Sequence, residues 1–148
     1  MNRRITTAIA VLSMVGMVVS SISLFHHYGS SKSSFCDFGN NFNCDMVNRS
    51  IYSTVFGIPV ALIGILGYAL LLGLATIYRS KKDAAMMLLL ASVAGLGFAI
   101  YLTYIEGFVL GVWCILCLSS FACILGITAL SSTLVAQAMW RAADSGQR

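Results

Sequence analysis

Charge is what this sequence has least of. Its 148 residues include nine Lys or Arg and five Asp or Glu, 9% of the chain, and none of these falls within four long apolar runs at 5–25, 55–78, 84–104 and 113–135. Soluble domains carry about 25% charged residues, so this scarcity excludes an ordinary cytosolic domain. The 59% hydrophobic content and mean hydropathy of +0.89 point the same way. Long polar stretches are also missing: the largest segment outside the runs is the 29-residue loop 26–54. That loop is too small to hold a fused thioredoxin-like, nucleotide-binding or other soluble catalytic domain. Flavin, haem and nucleotide motifs are absent as well, as is any helix with metal-ligand spacing.

What is present is a membrane protein in outline. Each run meets the roughly 20 residues a helix needs to cross a hydrocarbon core, so the expectation is an all-α, four-transmembrane-helix bundle forming a single membrane domain over 1–148. The first run follows a basic start, Asn2-Arg3-Arg4, but exceeds a signal-peptide core of about 7–15 residues, and a retained span is expected. Glycines at 57, 64, 67, 73, 95 and 97 offer small surfaces for close helix approach. Pro59, the single proline, is expected in the first turn of the second helix, where its missing N–H costs nothing.

Seven of the nine positive charges (Arg3, Arg4, Arg79, Lys81, Lys82, Arg141 and Arg148) fall in the two tails and the loop 79–83. The positive-inside rule then places both termini in the cytoplasm. Net charge is thereby a matter of topology rather than of nucleic-acid binding. Loop 26–54 and the link 105–112 face the other side, and four of the five cysteines lie in or beside them.

Trp113-Cys114-Ile115-Leu116-Cys117 is a C-x-x-C motif at the outer end of the fourth run. Cysteines at i and i+3 share a helix face about 5–6 Å apart. Cys114, expected in the first turn, meets the unpaired N–H groups that stabilise a thiolate, while Cys117 lies one turn deeper. A zinc site drawing on Cys36, Cys44, His26 and His27 is the weaker alternative, because Cys-x7-Cys is not finger-like spacing. A purely structural Cys114–Cys117 disulfide is weaker too, since so short a loop removes little chain entropy. Cys36 and Cys44 form a second pair, in themselves as readily a staple as a catalytic dithiol. Beside a C-x-x-C in the same compartment they make a thiol–disulfide relay feasible. With no cofactor motif to end the relay, a lipid-soluble quinone is the expected acceptor, and Phe56, Phe98, Tyr101, Trp113 and Phe121 are the candidate pocket residues. Phe35, Phe38 and Phe42 suit either a lid or interfacial anchors. Cys123, two turns below the pair, reads as a small buried hydrophobe.

Cys36, Cys44, Ser50, Phe56-Gly57-Ile58-Pro59 and Trp113-Cys114-Ile115-Leu116-Cys117, taken together, resemble the vitamin K epoxide reductase family in its short bacterial form, without a fused thioredoxin-like domain. The resemblance implies a bundle around a quinone pocket, Cys114 and Cys117 as the active-site pair, Cys36 and Cys44 as loop relay cysteines, and Ser50 in support. It implies electron transfer from a periplasmic thioredoxin-like, DsbA-like thiol oxidoreductase to ubiquinone or menaquinone, in a monomer of the bacterial inner membrane supporting disulfide formation. The DsbB-type quinone reductases order their pairs the other way along the chain. Where the vertebrate enzymes carry a tyrosine four residues past the second active-site cysteine, this chain has Phe121, which argues against vitamin K epoxide reduction and coumarin sensitivity. From another class, a small non-enzymatic membrane protein with structural disulfides predicts cysteines that stay oxidised whatever the quinone supply.

Overall fold

The computed structural model describes residues 2–29, 37–38, 41–76 and 83–146. Helix α1 spans Arg3–Tyr28 and starts at Asn2, whose side chain accepts the Arg4 N–H at 3.3 Å. Its buried stripe is Thr6, Ile9, Ser13, Gly16, Ser20 and Ser23, while Val11, Met14, Val15, Val18 and Ile22 face outward. This inverts the soluble pattern. Lipid is as apolar as leucine, so membrane helices associate through small residues that let backbones approach. Two hydroxyls on that stripe bond back one turn along the helix, Thr6 Oγ1 to the Asn2 carbonyl at 3.0 Å and Ser13 Oγ to the Ile9 carbonyl at 2.8 Å.

Between the first two long helices lie two short antiparallel pairings. Strand β1 (Asp37–Phe38) pairs with β2 (Phe42–Asn43), and after helix α2 (Cys44–Asn48) and a 3-10 turn at Ile51–Ser53, β3 (Thr54–Val55) pairs with β4 (Ile58–Pro59). Helix α3 covers Val60–Thr76, α4 covers Ala84–Tyr104 and runs into a π-helical turn at Ile105–Leu110, and α5 covers Ile115–Gly146. Among the described residues, three helices, α1, α4 with its π turn, and α5, are long and apolar enough to cross a membrane; α3 is apolar and is described over 17 residues. Helix α1 packs on α3 and α5, α4 packs on α5, and α3 touches α4, which closes these helices into a ring.

Three run boundaries differ from expectation. The run 55–78 opens as a hairpin, because Phe56 (φ 52°) and Gly57 (φ 81°) make its turn with positive φ, the geometry that suits a two-residue connection. Pro59 is therefore the last strand residue, immediately before the helix, and not within its first turn. The run 84–104 coincides with α4, but the chain continues helically past it instead of leaving as a loop. The last helix begins at Ile115 and runs well beyond residue 135.

The expected glycine contacts are partly met. A Cβ on Gly64 would fall 2.9 Å from Ser20 Oγ and one on Gly95 3.2 Å from Ile124, whereas Gly57, Gly67, Gly73 and Gly97 have nothing within 4 Å. The tightest approach is at Gly16, where an added Cβ would lie 2.4 Å from the Tyr68 ring. Tyr68 in turn donates its hydroxyl to the Ser120 carbonyl at 2.7 Å, so one side chain joins α1, α3 and α5.

Candidate functional site

The loop region is fastened to the start of α5 by backbone bonds. Trp113 N–H donates to the Asn41 carbonyl at 2.9 Å, and Asn43 N–H donates to the Trp113 carbonyl at 3.1 Å, pairing Phe42 alongside Trp113. Both cysteine-bearing segments thus approach each other one residue past this pairing, at Cys44 and Cys114. The two side chains are each 0% exposed and share a small core with Val47 and Val112, against which Cys117 also packs. Cys44 is disulfide-bonded, while Cys114, Cys117 and Cys123 are free thiols. The other loop cysteine, Cys36, lies outside the described residues, as do Phe35 and the side chain of Phe38.

Cys114 stands one residue before α5, not in its first turn, and its carbonyl accepts the Leu118 N–H at 3.0 Å. It occupies the N-cap position, where a side-chain acceptor meets the open N–H groups of the first turn. Its thiol is held below the ordinary thiol range, chiefly by the hydrogen bond from the Cys117 thiol, with the backbone N–H groups of Cys117 and Leu116 adding to it. Burial and the nearby Glu106 carboxylate oppose that shift. The helix starts two residues past the run boundary at 113, and Cys114 meets its open N–H groups from the N-cap position instead of the first turn.

Cys117 faces a mostly apolar cavity of about 420 Å³ lined by α1, α3, α4, α5 and the loop elements. That volume lies within the roughly 300–1,000 Å³ of small-molecule sites. Of the expected pocket aromatics, Phe98 and Phe121 line it. Phe56 does not: at the hairpin tip it is 101% exposed, beyond reach of the interior. Tyr101 points outward from α4, and the Trp113 indole packs on the π turn, where a Cβ on Gly107 would meet it at 3.0 Å. Cys123 is buried in the main core with Ile124 and Ile127.

Polar groups cluster where the loop elements cover the cavity. Ser50 Oγ donates to the Val47 carbonyl at 2.8 Å and its own carbonyl accepts Ser53 Oγ at 2.7 Å, so Ser50 ties α2 to the 3-10 turn while lining the cavity. Ser23 Oγ donates to Asn48 Oδ1 at 2.8 Å, and the Asn48 carbonyl bonds His27 Nδ1. Asn48 Nδ2, on a residue that is 7% exposed and lines the cavity, has no partner. A buried donor left unsatisfied costs about 1–3 kcal/mol, which an acceptor on a bound molecule would recover.

Sequence reasoning passed over Asn48 and Glu106. Glu106, on the π turn, is 2% exposed; its Oε2 accepts the Cys114 N–H at 3.2 Å and its carboxylate is within hydrogen-bonding reach of the Cys117 thiol. The spans were read as free of ionisable groups, but the helical path continues past residue 104 and carries this carboxylate inside. Its signal was available: a lone acid just past an apolar run and two helical turns before the C-x-x-C.

No curated protein matches the chain. The sequence model of the vitamin K epoxide reductase family, whose members are membrane oxidoreductases that use quinones, matches residues 7–132. With a match reaching from α1 to α5 and taking in both cysteine-bearing segments, the chain belongs to the vitamin K epoxide reductase family.

Proposed function

We propose that this protein is a membrane thiol:quinone oxidoreductase that takes electrons from an extracytoplasmic thioredoxin-like partner and so supports disulfide formation. The observation that carries this reading is the burial of Cys44 against Cys114 in one small core, with Cys117 turned to the cavity. A thiol arriving from the loop side and an apolar electron acceptor arriving from the membrane would meet the same cysteine chain from opposite ends.

The exchange runs as follows. A partner thiolate attacks the Cys36–Cys44 disulfide at Cys36 and Cys44 leaves as a thiolate. Cys44 attacks Cys114 of the Cys114–Cys117 disulfide, freeing Cys117. The partner's second thiol releases Cys36, which recloses on Cys44 and frees Cys114. The reduced pair then gives two electrons and two protons to the quinone, and the Cys114–Cys117 bond re-forms. Overall, one partner dithiol becomes a disulfide and one quinone becomes a quinol. A bonded Cys44 with free Cys114 and Cys117 corresponds to the stage just before quinone reduction.

Four crossings, cytoplasmic termini and both cysteine pairs outside complete the reading, supported by the charge distribution. Phe121 on the cavity wall leaves no tyrosine hydroxyl at that position, which supports a quinone rather than an epoxide as substrate. The test is quinone-dependent dithiol oxidation by the purified chain. Cys117→Ala is expected to abolish it and to accumulate a Cys44–Cys114 mixed disulfide, while Cys123→Ala stays near wild type. Equal activity in all three proteins removes the redox reading.

A further inference from the structure

A charged group within a membrane helix is rare and usually functional, and Glu106 lacks the cationic partner that commonly accounts for one. Among the described residues no cation pairs with it; the one ion pair is His26 with Asp45. It sits on the π-helical turn at Ile105–Leu110, a distortion frequent at functional sites. From there its carboxylate meets the Cys114 backbone N–H, reaches the Cys117 thiol and lines the same cavity as that thiol. It therefore touches both the sulfur that must lose a proton and the space where a quinone oxygen must gain one.

Resting on the quinone-reductase reading above, we propose that Glu106 is a catalytic residue that carries a proton from Cys117 Sγ to the quinone oxygen. Glu106 takes the Cys117 proton, and the thiolate adds to a quinone ring carbon as a C–S bond forms. The oxygen of the carbonyl conjugated to that carbon, now bearing the electron pair, receives that proton from Glu106. Cys114 Sγ then attacks Cys117 Sγ, the S–S bond forms, the C–S bond breaks and its electron pair enters the ring. The proton given up by Cys114 goes to the second oxygen, completing the quinol and returning Glu106 to its starting state. A carboxyl within hydrogen-bond reach of donor and acceptor is the usual instrument of such a transfer.

Besides Cys117, which lines the cavity, and Cys114 beside it, three titratable groups share the lining with Glu106: Tyr52 of the 3-10 turn opens to the surface at 39% exposure, and the other two are His27 from α1 and Tyr68 from α3. Those two are already engaged, His27 with the Asn48 carbonyl and Tyr68 with Ser120. The test is steady-state reduction of ubiquinone-1 and menadione by the full chain in detergent with dithiothreitol as donor, across pH, for wild type and Glu106→Gln. Glutamine keeps an acceptor for the Cys114 N–H and removes only the transferable proton. The expected result is a fall in kcat of about tenfold or more, KM within about twofold, and loss of the pH limb that wild type shows. Glu106→Asp, which keeps a carboxyl on a shorter stem, is expected to retain that limb at reduced kcat, and serves should the glutamine variant not fold. An unchanged kcat and pH profile in Glu106→Gln, or a limb missing from a folded Glu106→Asp, overturns the proton-carrier role and leaves the quinone reading standing. A wild-type chain that reduces neither quinone overturns both.

Discussion

At the scale of single residues, the site depends on hydrogen bonds that are incomplete without their neighbours. Cys114 is a buried thiol whose lowered pKa rests first on the Cys117 thiol. A lowered pKa means that the thiolate persists to lower pH. Removing the donor with Cys117→Ala should move the pH midpoint for Cys114 alkylation upward and slow its reaction at pH 7, as read by iodoacetamide labelling and peptide mass spectrometry of reduced protein. A midpoint that stays put would assign the shift to the helix N–H groups alone. Asn48 presents the opposite balance. Its free Nδ2 is a debit in the empty cavity, so Asn48→Ala gives up the Ser23 bond, about 1 kcal/mol, but also removes an orphan donor. Thermal stability should change little while the quinone KM rises about tenfold, equivalent to roughly 1.4 kcal/mol. The C-x-x-C and the loop cysteines stand out in the sequence because thiols are rare and their spacing is distinctive. Asn48 and Glu106 were not singled out, because a polar residue near a helix end is ordinary until its burial and its missing or unusual partners are seen.

At the scale of elements, the apolar runs located the helices but not their punctuation. Hydropathy reports transfer into lipid, and a hairpin made of Thr54, Val55, Ile58 and Pro59 is as apolar as a helix end. Backbone dihedrals decide the matter: Phe56 holds a positive φ normally left to glycine or asparagine. Phe56→Asn should therefore raise stability by about 1 kcal/mol and leave the quinone KM unchanged, whereas Phe121→Ala raises that KM. A KM rise on changing Phe56 would bring the hairpin tip into the binding site. The small-residue face of α1 was hidden for a similar reason, since Gly16 lies in a run whose hydropathy is set by its valines and methionines. Gly16→Ala forces a methyl against the Tyr68 ring, whose hydroxyl is tied to α5. Overpacking of this kind costs about 1–3 kcal/mol, to be measured as a loss of thermal stability in detergent. A Gly67→Ala control, where nothing lies within 4 Å, should be neutral.

At the scale of the whole molecule, the open question is how α3 lies in the bilayer. Its described residues, Val60–Thr76, rise about 25 Å at 1.5 Å per residue, and the residues after Thr76 lie outside the described ones, so length alone does not decide the crossing. Packing argues that it crosses. Helix α3 meets α1 at Gly16 and Gly64, spans to α5 through Tyr68, and forms part of the cavity wall facing Phe98 and Phe121. A helix lying along the surface would lose those contacts and open the cavity to lipid. The parity of crossings is directly measurable. With α3 crossing, Asn2 and Ser145, just before α1 and near the end of α5, lie on the same side; without it they lie on opposite sides. Asn2→Cys and Ser145→Cys, labelled by a membrane-impermeant maleimide and identified by mass spectrometry, should both react in inverted vesicles and in neither case in intact spheroplasts. Reaction of one from each side would reduce the crossings to three, separate the loop pair from the C-x-x-C pair across the membrane, and end the relay.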